Sequence, residues 1–225
     1  MPIEPIQLIT EHYQKTFELT YETWKERNRL FVYLVLVTGL GLLLVLQVPE
    51  ANNLLVDAIV KLLGITDTAR IAQLHKDFPL EIILSIILII MFYLMQRVYS
   101  TSLSVLRYYA YLAGLEEEIR QKLVLPKNSI AFTREGTFYW GHRSFAQTLS
   151  KWNYVLVILI ILLPYIVLKL VSDFHARNIL ITVVDTFVAT MTFVYYVAYA
   201  LSTATLDAPT PQLEKLQVKQ SGRKH

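Results

Sequence analysis

The residue best placed for chemistry is Asp185, a carboxylate inside an otherwise apolar run, Asn178 to Leu201. Seven residues into a helix it lies about 10 Å from the start of the run. A carboxylate deep in hydrocarbon costs at least about 2.5–3.5 kcal/mol on the insertion scale, so it must face a bundle interior, a water-filled path or a cation. Lys169, near the end of the preceding apolar run, stands at a compatible height across a short turn, Ser172–Arg177. The two residues are therefore expected either to pair and fix helix packing, or to form a pore-lining or proton-carrying site. Thr182, Thr186, Thr190 and Ser202 share the Asp185 run. Their hydroxyls can bond back to their own helix, so they do not by themselves imply a polar channel.

Other titratable groups suggest less. Glu116-Glu117-Glu118 reads as a solvated helix face, and Glu81 as an acid favoured by a helix N-terminus. His142 near Glu135 has no second His at ligand spacing, and no metal or cofactor is expected. The chain has no Cys, which excludes a thiolate metal site, a disulfide scaffold and a Cys nucleophile. It has no Gly-rich phosphate loop, no His-Glu-x-x-His and no Gly-x-Ser-x-Gly. The glutamate cluster lacks the Arg of a Glu-Glu-x-x-x-Arg intramembrane protease, because Gln121 or Lys122 stands there. A non-enzymatic role is expected.

The elements that must position these residues are apolar helices. Of 225 residues, 54% are hydrophobic and only 17% charged, against about 25% charged in an ordinary soluble domain. The excess is concentrated in four runs: 30–48, 80–96, 154–171 and 178–201. Each suffices for a helix across about 30 Å of hydrocarbon, which takes about 20 residues. Pro164 is a kink candidate in the third. The first run begins behind a charged segment and is followed by no small-residue cleavage site, so it reads as a span rather than a signal peptide. The fold class expected is an all-α integral membrane protein, a four-helix transmembrane bundle with a small cytoplasmic helical module.

Basic residues set the expected orientation. Sixteen of the 21 Lys and Arg lie in residues 1–29, in 97–152 and after the fourth span. Both termini and the 97–152 segment are thus expected in the cytoplasm, with 49–79 outside, in the plasma (inner) membrane. The net charge of +3 reflects this bias, and no basic segment is dense enough to suggest nucleic acid as a partner. Trp152 and Tyr154 fit an interfacial aromatic belt.

Residues 1–29 form an amphipathic pattern. Ile9, Tyr13, Phe17, Tyr21 and Trp24 recur at spacings of three and four, with a largely acidic opposite face. An interfacial anchor would be basic there, so this helix is expected to pack on protein. Its expected partner is a continuation of the second span into 97–152. There Val105, Tyr109, Leu112, Ile119 and Leu123 make a stripe near a 3.5-residue repeat, ended by Pro126. In the 49–79 loop, an apolar pattern from Leu54 to Leu63 ends at Gly64, and Thr66 or Asp67 is placed to cap a second short helix through Leu74. Residues 129–140 read as a short β-hairpin turning at Gly136. Such a hairpin is only marginally stable alone and must lean on the helices or on another chain. Residues 203–225, with Pro209, Pro211 and a basic end, read as a disordered cytoplasmic tail.

The run Tyr-x-x-x-Leu-Glu-x-x-Ile, Tyr111 to Ile119, followed by Phe132 to Tyr139, resembles segments of small bacterial multi-span proteins. Some small bacterial multi-span proteins act as membrane effectors or sensors in anti-phage defence. The resemblance covers under a third of the chain and implies such a role. With the patterning, it leads to an oligomeric membrane protein, a pore-forming effector or a sensor, controlled by its cytoplasmic module. The expected partners are the lipid bilayer, further copies of the chain and a cytoplasmic protein. A pore is expected between subunits, because four helices seldom enclose both a pore and a gate. Two other readings stand beside this one: a small proton- or ion-coupled transporter using Asp185, and a scaffold or assembly subunit of a larger membrane complex.

Overall fold

A computed structural model describes residues 5–46, 48–76, 78–126, 129, 131–132, 145–176 and 178–204. Among these the chain is almost entirely helical, with short turns and links between the helices. Its elements are α1 (Pro5–Val45), α2 (Pro49–Leu62), α3 (Thr68–Lys76), α4 (Leu80–Lys122), α5 (Phe145–Ala176) and α6 (Ile179–Ala204). Four of them, α1, α4, α5 and α6, are long and apolar enough to cross a membrane. The hairpin expected at 129–140 falls mostly outside the described residues, as do 205–225 of the tail. Among the described residues there is no strand.

The helix ends are written locally. Pro49 opens α2 in the first turn, where its missing N–H costs nothing. Gly64, at φ +65°, closes it: Ile65 N–H bonds to Val60 O and Gly64 N–H to Lys61 O. This is a Schellman end, and its left-handed position suits a residue without Cβ. Asp67 Oδ1 accepts from Ala69 N–H at 2.9 Å and starts α3. Asn178 plays the same part for α6 through Ile181 N–H at 3.4 Å. The end of α4 repeats the pattern of α2, with Val124 at φ +52°. Val124 is β-branched and pays in strain what glycine would not. Beyond it the Arg120 guanidinium donates to the carbonyls of Pro126, Ser129 and Ala131.

The chain divides into two compact units. One comprises residues 29–97 and 154–197, the other 1–28, 98–153 and 198–225. In the first, the buried positions recur at alternating spacings of three and four. On α4 they are Leu84, Leu88, Met91, Met95; on α5 Val155, Ile158, Leu162, Tyr165; on α6 Asp185, Ala189, Thr192, Tyr196. This near-3.5 repeat is the pattern of helices packed at small crossing angles. Leu36, Leu40, Ile86, Ile90, Ile160, Val167, Val183 and Phe187 point outward. Only a fifth to a third of each long apolar window is buried within the protein, so most of its apolar surface faces outward. Gly41 is needed for close packing: a Cβ there would stand 2.7 Å from Cε2 of Tyr165 and 3.0 Å from Ile87.

In the second unit, Val105, Leu112 and Ile119 of α4 are buried, Tyr109 is half-buried and Leu123 is exposed. On α1, Thr16 and Thr20 are buried and Tyr13 and Phe17 half-buried, while Tyr21 and Trp24 lie on the exposed face. The reason is geometric. A spacing of four advances 40° per step around a 3.6-residue helix, so a row 13, 17, 21 winds off the packed face. The threonines follow that face, and their hydroxyls donate to His12 O and Thr16 O, which lets them enter an apolar contact without an unmet donor. Tyr21 and Trp24 instead stack on each other, rings 6.1 Å apart, with the Lys25 ammonium 4.2 Å from the Tyr21 ring.

Candidate functional site

The site begins with where α5 ends. The expected turn Ser172–Arg177 is instead helical through Ala176, because no Gly or Pro interrupts the chain after Pro164. Asp173 therefore occupies the helical position four residues after Lys169, on the same face. Asn178 then caps α6, which runs back alongside and brings Asp185 to the same level. The Lys169 ammonium donates to Asp185 Oδ2 at 2.6 Å and to Asp173 Oδ1. All three side chains are only about 1% exposed.

Neighbouring groups complete the cluster. Ser85 of α4 donates its hydroxyl to Asp185 Oδ2 at 2.6 Å, tying a third helix to the two acids. Thr182 donates to the Asp173 carbonyl at 3.2 Å. Tyr165, one turn from Lys169, is fully buried and donates to Leu84 O at 2.7 Å. Two carboxylate oxygens are left over: Asp173 Oδ2 and Asp185 Oδ1 are buried and find no hydrogen-bond donor. Two acids thus share one ammonium, and half of their acceptor atoms are unmet. Such an arrangement is costly unless a further positive charge or proton completes it.

Sequence reasoning singled out Lys169 and Asp185, and the structure brings them together. It missed Asp173 by ending the third helix at Val171. The signal was present, since Lys-x-x-x-Asp without an intervening helix breaker is an i,i+4 pair. It also missed Ser85, whose link to Asp185 is a contact between residues 100 apart. No family model, curated protein or solved structure matches this chain. Among the described residues no group of three or more His, Cys, Asp or Glu is placed to hold a metal ion.

The remaining candidates lie in the unit of 1–28, 98–153 and 198–225. Tyr13 donates to Glu116 Oε1 at 2.9 Å, and Glu116 is buried. This corrects the reading of 116–118 as one solvated face: Glu117 and Glu118 are exposed, and Glu116 is turned inward by the helical period. His12 Nε2 and the Tyr111 hydroxyl are hydrogen-bonded at 2.9 Å, and Tyr13 meets Phe132 edge-on. Tyr109 and Phe17 are half-buried, and Leu112 and Ile119 are fully buried. His142 and Glu135 fall outside the described residues.

Proposed function

We propose that the chain is a multi-pass protein of the inner membrane that assembles with copies of itself. It acts there as a regulated effector or sensor, with the unit holding Tyr13 and Glu116 on the cytoplasmic side as its control module. The reading is carried by the uninterrupted course of α1 and α4. Each runs 41 and 43 residues respectively, without an internal proline, and each contributes residues to both units. A ligand or protein that shifts α1 against α4 in the module acts directly on the segments that line the apolar unit. Shifts of packed helices are an ordinary form of switching. Exposed Tyr21 and Trp24 are the proposed contact to a neighbouring subunit or protein partner.

The test is reconstitution into liposomes loaded with an ion-sensitive dye, with the mass measured in detergent. The expected result is a discrete homo-oligomer whose ion flux changes about fivefold or more, the lower range of ordinary coupling free energies, on Glu116→Ala. A monomer with no flux in either form overturns the reading. A second reading, a proton- or ion-coupled transporter, is favoured by the buried Lys169–Asp173–Asp185 cluster. It predicts flux that requires Asp185 and a driving gradient, and no need for assembly.

A further inference from the structure

The cluster of two aspartates on one lysine carries a chemical consequence of its own. With all three groups ionised, the site holds one negative charge in excess, enclosed by α4, α5 and α6. Charges buried in this way persist only when paired and hydrogen-bonded. Lys169 already serves both acids, and Ser85 serves Asp185 a second time. The two leftover oxygens, Asp173 Oδ2 and Asp185 Oδ1, receive a hydrogen bond from neither and are without a donor.

We infer that the Lys169–Asp173–Asp185 cluster is a proton-binding site that holds one proton between its two carboxyl groups. A hydronium ion from the aqueous phase gives up its proton to one carboxylate. A new O–H bond forms, a water molecule is released, and the cluster becomes neutral. That O–H is also the donor the leftover oxygens lack, since a carboxyl group can donate to a neighbouring carboxylate. A metal cation fits less well. The ammonium already occupies the position between the acids, and the nearby hydroxyls are engaged: Ser85 on Asp185, Tyr165 on Leu84 O, and Thr182 on backbone carbonyls.

The groups facing the site are few. α4 presents Ser85, with Glu81 exposed one turn before it; α5 presents Lys169, Asp173 and Tyr165, with His175 exposed; α6 presents Asp185 and Thr182. α1 approaches Tyr165 at Gly41, and residues 30–45 of α1 carry no titratable side chain other than Tyr33, which is exposed. No other charged side chain among the described residues bonds to the acids.

The experiment is infrared spectroscopy of the full chain in lipid, with aspartate labelled by carbon-13 at the side-chain carboxyl. The other aspartates, 57, 67, 77 and 207, are replaced together by Asn, so that every labelled signal comes from the intact cluster. At neutral pH the expected spectrum holds one protonated and one ionised carboxyl per chain, the protonated band shifting in deuterium oxide. Asp173→Asn and Asp185→Asn should each abolish the protonated band, because one carboxylate then balances one ammonium. Lys169→Met should double it. Two ionised carboxylates in the otherwise intact cluster would overturn the inference, as would a protonated band that survives in both Asn variants. The readout needs neither flux nor assembly, so it fails separately from the effector reading, on which it does not rest.

Discussion

Asp173 changes what mutation of its neighbours should do. A simple Lys169–Asp185 pair would leave the ammonium stranded when Asp185 is neutralised. Asp173 keeps it paired, so Asp185→Asn is expected to lose mainly the contributions of one charge-assisted bond and of Ser85, about 1.5–3 kcal/mol. Lys169→Met is the harsher change. It removes the one cation bonded to two buried acids, at least one of them ionised, and breaking a buried ion pair from one side costs about 3–5 kcal/mol. Thermal unfolding in detergent should therefore rank Lys169→Met well below Asp185→Asn. Adding Asp173→Asn and Asp185→Asn to Lys169→Met should restore much of the loss. If Asp185→Asn is the more damaging of the two, Asp173 does not hold the ammonium in the folded protein.

At the scale of the elements, α1 separates two kinds of position that share one stripe. Thr20 is buried and internally bonded; Trp24, one turn on, is exposed and stacked on Tyr21. Thr20→Lys places an unpaired ammonium at a buried position of α1 and should loosen the packing of that segment, a loss of several kcal/mol. Trp24→Ala removes a side chain that is 37% exposed and stacked on Tyr21, and leaves no buried charge, so it should cost a single chain much less than Thr20→Lys. Limited proteolysis of the two variants checks this directly. Rapid cleavage of the N-terminal 28 residues is expected in Thr20→Lys and wild-type resistance in Trp24→Ala. A loss of oligomer in Trp24→Ala with intact protease resistance assigns that aromatic pair to a subunit contact.

At the scale of the molecule, the basic residues predict which ends of the helices face the cytoplasm. The chain has no Cys, so single cysteines report position cleanly. A Cys in place of Asp57, exposed on α2, should react with a membrane-impermeant thiol reagent in intact cells. A Cys in place of Glu118, exposed on α4, should react only after the cells are opened. The opposite pattern would invert the orientation and remove the ground for a cytoplasmic control module.

The long apolar helices were legible from sequence because crossing hydrocarbon demands an unbroken run of apolar residues, a signal carried by composition alone. The close of α2 and the start of α3 were legible for a related reason: Gly64 and Asp67, one of the two residues read as the cap of α3, act on backbone atoms within a few residues of themselves. The faces of the helices were less so. Residues 9 to 24 read as one aromatic stripe, but a four-residue spacing drifts around the helix. Which part of that drift is buried depends on α4, a partner some hundred residues away. The buried charge cluster was half visible. Lys169 and Asp185 betrayed themselves as charges in apolar runs, while Asp173 depended on a helix continuing five residues past Val171. Ser85 carries no such mark. Its role arises only where the fold sets α4 against α6, because a hydroxyl in an apolar helix ordinarily satisfies itself on its own backbone, and only a neighbouring carboxylate gives it something more to do.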